Sequence, residues 1–223
     1  ALEELGYYLD NYKSGSREQE HPLKISSYVG SSAGAMMATI FAAGFGPREM
    51  MNAMLGAKGS TMTPITYKDM FHVRRAKLKA RRPEYFDPFK RFPFVMRTLL
   101  KPLLGFSGFF STTGLKNYLI KNILETDNFD EFGPELFIVA TQLDHSRKVI
   151  FSKYNYPNPS HDNTAVYYTN TSISDAVAAS MSVPPFYTPY PIFNEQTKKV
   201  DYYIDGEIRD TLSKHVAEDN NCD

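Results

Sequence analysis

The pentapeptide GSSAG, residues 30–34, places Ser32 between two glycines. It stands where a strand-like run, Tyr28 and Val29, gives way to the Ala- and Met-rich stretch AGAMMATIFAAG. Gly-x-Ser-x-Gly at a strand–turn–helix junction can form a nucleophile elbow, a sharp turn that pushes the serine hydroxyl clear of the sheet. The chemistry such a serine performs is acyl transfer, by attack on a carbonyl carbon. The following helix would aim its positive end at the developing oxyanion, with Ala33 N–H as the first donor. Gly30 and Gly34 would let neighbouring backbone pass. The alternative is plain: glycine and serine are common turn residues, and the pattern alone is weak.

A nucleophilic serine needs a base. The histidines are His21, His72, His145, His161 and His215. Only His215 follows a convincing carboxylate, and its surroundings, TLSKHVAED, read as an exposed helix. The other candidate is Asp205 in YYIDGE, at a strand end before the turn residue Gly206. Asp-Gly is also an ordinary turn pair, so both readings of Asp205 stay open.

The elements that must carry these residues alternate between strand and helix. LKISSYV reads as a strand, Ala33 to Ala43 as a helix closed by Gly44, and PREMMNAML as a second helix opened by Pro47 and followed by Gly56. TTGLKNYLIKNIL spaces Leu115, Leu119 and Ile120 as one helix face, with Thr112 or Thr113 as its cap. ELFIVATQLD and KVIFSKY are strands joined by HSR, TAVYYTNT is a further strand, and SISDAVAASM is a helix stopped near VPP. KVDYYIDGE is a strand running into a Gly turn. This alternation indicates a layered α/β fold with a mixed sheet.

Together, GSSAGAMMATIFAAG and the late DGE resemble the patatin-like phospholipase family, whose pattern is Gly-x-Ser-x-Gly followed by Asp-Gly-Gly/Ala. GFFSTTGLKNYLIKNI, LFIVATQLDHSRKVIFS and ISDAVAASMSVPPFYTPY agree in order. The likeness spans most of the chain outside residues 57 to about 104. It implies a three-layer α/β/α domain over residues 1–223 with a mixed central sheet. It also implies a phospholipase A-type acyl hydrolase of membrane phospholipids using a Ser32–Asp205 dyad, an acyl-enzyme and no cofactor. An ordinary Asp, with a pKa of about 3.9, is a poor base near neutrality, so an enclosed site that raises it is expected. The resemblance departs at Glu207, where the family has Gly or Ala. It departs again in the absence of any Gly-Gly pair for the family's oxyanion loop. That loop is expected upstream of Ala1, since ALEELGYYLD starts as if mid-helix and the chain reads as an excerpt. Two rivals stand beside this reading: a Ser–Asp–His esterase using His215, and an inactive membrane-binding pseudoenzyme.

Residues 57–110 read as a basic, aromatic insertion. From Arg74 to Lys101 there are ten Lys or Arg against Glu84 and Asp87, a local charge of +8 in a chain of net charge zero. RFPFVMRTLLKPLLGFSGFF then interleaves cations with apolar residues. This is either a solvated cap over the core or a segment facing an anionic membrane surface through Arg74, Arg75, Arg81 and Arg82. A soluble protein that meets membranes peripherally is the expectation, with any targeting segment out of view. Nucleic acid is not an expected partner, because the Phe residues cluster with aliphatics. Cys222 is the single cysteine, so no internal disulfide can form, and no Cys/His spacing suggests zinc. DNFDEFG lacks the ligand pattern of a calcium loop, and no metal is expected.

Overall fold

The apolar run LFIVA builds the strand at the centre of the molecule. In a computed structural model, which describes residues 7–9, 24–73, 110–145, 147–154, 165–208 and 214–220, strand β6 (Glu135–Gln142) is buried along nearly its whole length. Leu136, Ile138 and Ala140 join one apolar cluster, while Phe137 and Val139 join another. Side chains alternate across a strand, so the sheet has a core on each face.

Six strands form this sheet. On one edge of β6 lies antiparallel β7 (Arg147–Phe151), followed by parallel β8 (Val166–Tyr168). The opposite edge is shared. Strand β3 (Ser27–Ser31) runs parallel to the first half of β6, and β10 (Lys199–Asp205) runs antiparallel to its second half. Strand β9 (Tyr190–Asn194) completes the order in an antiparallel hairpin with β10. Parallel and antiparallel pairs in one sheet make it mixed, as expected of this α/β fold.

Helices α1 (Ala33–Ala42), α4 (Thr113–Asn122) and α5 (Ile173–Ser180) cover one face, where Ala35, Ile40, Leu115, Leu119 and Val177 are essentially inaccessible. Helix α6 (Lys214–Asp219) serves the other through Val216, which joins Phe137, Val139 and Ile150. The layers are therefore helix, sheet and helix. Helix α1 ends before Gly44 at φ 97°, and α2 (Pro47–Met54) starts at its proline and ends before Gly56 at φ 65°. Lys116 Nζ and Asp175 Oδ1, 2.6 Å apart, tie α4 to α5.

Several local expectations are corrected. Tyr8–Leu9 (β1), read as helix, pair in parallel with Lys24–Ile25 (β2). Ile120 is 45% exposed, because the α4 core face is narrower than its apolar spacing suggested. Thr112 occupies the N-cap of α4 without capping it, and its hydroxyl meets Ser182 Oγ at 3.2 Å instead. DNFDEFG buries Phe129 and Phe132 and uses Asp127 to accept from the N–H and hydroxyl of Ser174 at the start of α5.

The described start of the expected insertion packs on the body. Met62 is buried, Tyr118 Oη donates to Thr63 O, and Gly114 lies so close to Asp69 O that no Cβ would fit. Helix α3 (Tyr67–Met70) leads into β4 (His72–Val73), which pairs with β5 (Phe110–Ser111). Val73 and Phe110, which flank residues 74–109 in the sequence, are thus paired. Arg74, Arg75, Arg81 and Arg82 lie outside the described residues.

Candidate active site

Ser32 follows the last residue of β3 and serves as the N-cap of α1, with φ 54° and ψ −127°. L-residues rarely adopt that conformation, which costs on the order of 1–3 kcal/mol and persists only where surrounding structure enforces it. The chain turns there from sheet to helix within one residue. Gly30 is required by this turn: a Cβ on it would overlap Gly34 O and stand 2.6 Å from Ala35 Cα. Gly34 is not required in the same way, because a Cβ on it would meet nothing within 4 Å. The two glycines of the motif therefore differ. One admits the helix against the strand, and the other borders open space beside Ala33 on the exposed face of α1.

Strand register brings Asp205 to the same place. Ser31 pairs with Val139 and Asp205 with Ala140, successive residues of β6. Because β3 is parallel and β10 antiparallel to β6, their C-terminal ends face each other along one edge. Gly206 permits this junction, since a Cβ there would stand 2.5 Å from both Ser31 Oγ and Val139 O. Asp205 is only 2% exposed. Its N–H donates to Ser182 O at 3.1 Å, and its Oδ1 accepts from Glu207 N at 2.8 Å.

Burial pushes the Asp205 carboxyl above the ordinary carboxylate range. The neighbouring Ser32 side chain and the hydrogen bond from the Glu207 N–H pull the other way, and the Glu207 charge raises it again. Glu207, the departure from the family pattern, thus acts on Asp205 twice, through its backbone and its carboxylate. The half-buried Ser32 side chain lies close enough to the buried carboxylate to lower its pKa.

The first turn of α1 carries neither a side-chain cap nor an acidic residue. Helices α2, α3 and α5 each carry one acid there: Glu49, Asp69 and Asp175. No side chain of α1 itself offsets its positive end beside Ser32, a feature it shares with α4. The Ser32 N–H is already taken by Ser180 Oγ at 2.8 Å. Ser180 and Ser182 lie in AASMSVPP, which reads in the sequence as the end of a helix within a stretch that resembles the family, with no role for either serine. The one visible signal was hydroxyl residues placed where a helix stops.

Along α1 from Ser32 the exposed face is Ala33, Gly34 and Met37, with no polar side chain. Met37 also lines an apolar groove of about 370 Å³ between α1 and α2, together with Phe41, Pro47, Met50, Met51, Met54 and Leu55. Of the histidines, His72 and His145 are exposed, and His215 falls on α6. Among the described residues no group of His, Cys, Asp and Glu could hold a metal ion, and no helix is long and apolar enough to cross a membrane.

A serine at a strained strand–helix turn, on a mixed sheet between helical layers, marks a hydrolase-like α/β architecture. The family model described as patatin-like phospholipase matches residues 1–217. The chain belongs to that family of lipid acyl hydrolases. No curated protein matches the chain.

Proposed function

We propose that this chain is a phospholipase A-type hydrolase that cleaves carboxylic ester bonds of membrane phospholipids through a Ser32–Asp205 dyad. The observation that carries the reading is the strand register that brings the strained Ser32 beside a buried Asp205 whose carboxyl is raised. The family supplies the lipid substrate class.

In the proposed cycle Ser32 Oγ attacks the ester carbonyl carbon while its proton passes to Asp205. The carbonyl oxygen gains the negative charge and is met by the α1 N-terminus, with Ala33 N–H as first donor and Gly34 leaving room for approach. Collapse breaks the bond to the alcohol oxygen, which takes the proton from Asp205 and leaves as the lysophospholipid. The acyl group remains on Ser32. Asp205 then takes a proton from water, the resulting hydroxide attacks the acyl-enzyme, and Ser32 regains its proton as the fatty acid leaves. Desolvation makes Asp205 a stronger base than an exposed carboxylate, which is what proton transfer near neutrality requires. The groove lined by Met37, Phe41, Met50 and Met54 suits the acyl chain, since it is apolar and lies farther along α1, the helix that Ser32 opens.

The test is release of fatty acid from phospholipid vesicles by the full-length protein and by Ser32→Ala and Asp205→Asn. Both variants should fold and lose turnover by at least roughly a thousandfold. A folded Ser32→Ala protein with normal turnover would refute the dyad.

A further inference from the structure

We infer that Ser180, the last residue of α5, is a positioning residue that fixes the Ser32 elbow in its reactive geometry; this rests on the reading of Ser32 as nucleophile. The Ser180 side chain is wholly inaccessible to solvent. Its Oγ donates to Val139 O at 2.6 Å and accepts from the Ser32 N–H at 2.8 Å. A hydroxyl has one proton, so donation to Val139 fixes its orientation and leaves a lone pair for Ser32. Val139 is the β6 residue that pairs with Ser31. One oxygen thus joins the end of α5, the central strand and the elbow.

This placement does more than satisfy a buried amide. Ser32 holds a backbone conformation that its own residue type disfavours, so something outside the turn must enforce it. Its side chain does not do so, because it caps nothing in α1. Ser180 supplies the external hold. Two residues later Ser182 O accepts the Asp205 N–H, so a single short stretch fastens the backbones of both dyad members. Ser182 is itself anchored, donating its hydroxyl to Ala178 O at 2.8 Å. Without the Ser180 oxygen, the Ser32 N–H and Val139 O lose their shared partner and the elbow is free to relax. A misplacement of about 1 Å in a reacting group can cost about 100-fold in rate.

The experiment compares full-length wild type, Ser180→Ala and Ser32→Ala by fluorophosphonate labelling and by turnover of an ester substrate. Turnover is expressed per labelled site, which removes any loss caused by partial unfolding. Ser180→Ala is expected to reach the wild-type labelling stoichiometry and to keep KM, while kcat per site and the labelling rate constant fall roughly 10- to 100-fold. If Ser180→Ala does not fold, Ser180→Cys, similar in size but a weak donor and acceptor, carries the same comparison. Wild-type kcat per labelled site in the folded variant overturns the positioning role, even if the protein melts earlier. Ser32→Ala separates the two ideas. If it is inert while Ser180→Ala is undiminished, only the positioning role fails; if it still turns over, the nucleophile reading fails and takes this inference with it.

Discussion

Ser32 and Asp205 stand at the ends of two strands that run toward each other along one edge of β6, close enough that the serine side chain lowers the carboxyl pKa that burial raises. Residues 173 positions apart are thus adjacent because β6 offers Val139 to one strand and Ala140 to the other. Neither strand could shift by one residue without turning its side chains to the opposite face of the sheet.

The raised Asp205 carboxyl predicts both a pH profile and a stability trade-off. Its folded-state pKa lies above its unfolded value, so the native state favours the proton. Its ionisation therefore costs stability increasingly as pH rises from the unfolded pKa through the folded one. Asp205→Asn should consequently be inactive yet at least as thermostable as wild type at neutral pH, with any gain fading in acid. In wild type, activity should fall as pH drops through the raised pKa, because the base is then protonated. Thermal melts and rate profiles across pH check both, and a strongly destabilised Asp205→Asn at neutral pH would contradict the desolvation argument.

The unequal glycines predict unequal mutants. Gly30→Ala forces a Cβ into the Gly34 carbonyl and the α1 backbone, and should cost roughly 1–3 kcal/mol or prevent folding. Gly206→Ala should act similarly through Val139 O and Ser31 Oγ. Gly34→Ala meets open space in the first turn of a helix and should stabilise the fold by about 0.5–1 kcal/mol. Equilibrium unfolding of the three variants tests the ranking.

The alternation of elements and the positions of Ser32 and Asp205 were legible because they rest on local signals: periodicity, caps, and small residues at turns. The β6 register was not, since it depends on pairing between distant segments. The same reason hid Ser180, whose two partners lie 148 and 41 residues away. Strand β9 was also missed, because YPIFN is short and holds Pro191, a residue tolerated on this edge strand. Ile120 illustrates the opposite failure, an apolar residue at helical spacing that the neighbouring layers do not reach.

The groove between α1 and α2 predicts chain-length dependence. Met51→Asp with Met54→Asp places charge in an apolar lining whose residues are 56% and 81% exposed, so folding should survive. Hydrolysis of long-chain esters should fall about tenfold or more, at roughly 1.4 kcal/mol of lost transition-state binding, while short-chain esters are spared. Equal losses for both would place the acyl chain elsewhere.

The basic stretch makes a separate prediction about membranes. Changing Arg74, Arg75, Arg81 and Arg82 to Glu should weaken binding to anionic vesicles by roughly 4 kcal/mol or more at low salt, at about 1 kcal/mol per cation. Hydrolysis of a small soluble ester should persist. A parallel fall in both rates would make the stretch part of the catalytic body rather than a membrane-facing surface. A matching control is His215→Ala, which should change turnover little if Asp205 is the base, whereas a loss of several orders of magnitude would favour a triad.

The most direct measurement maps the covalent adduct. The full-length protein is reacted with a long-chain fluorophosphonate, digested, and the modified residue identified by mass spectrometry. The adduct is predicted on Ser32, absent in Ser32→Ala and formed much more slowly in Asp205→Asn. An adduct on another residue, such as Ser31, or phospholipid hydrolysis that continues with Ser32 unmodified at full probe occupancy, would contradict the assignment of Ser32 as nucleophile.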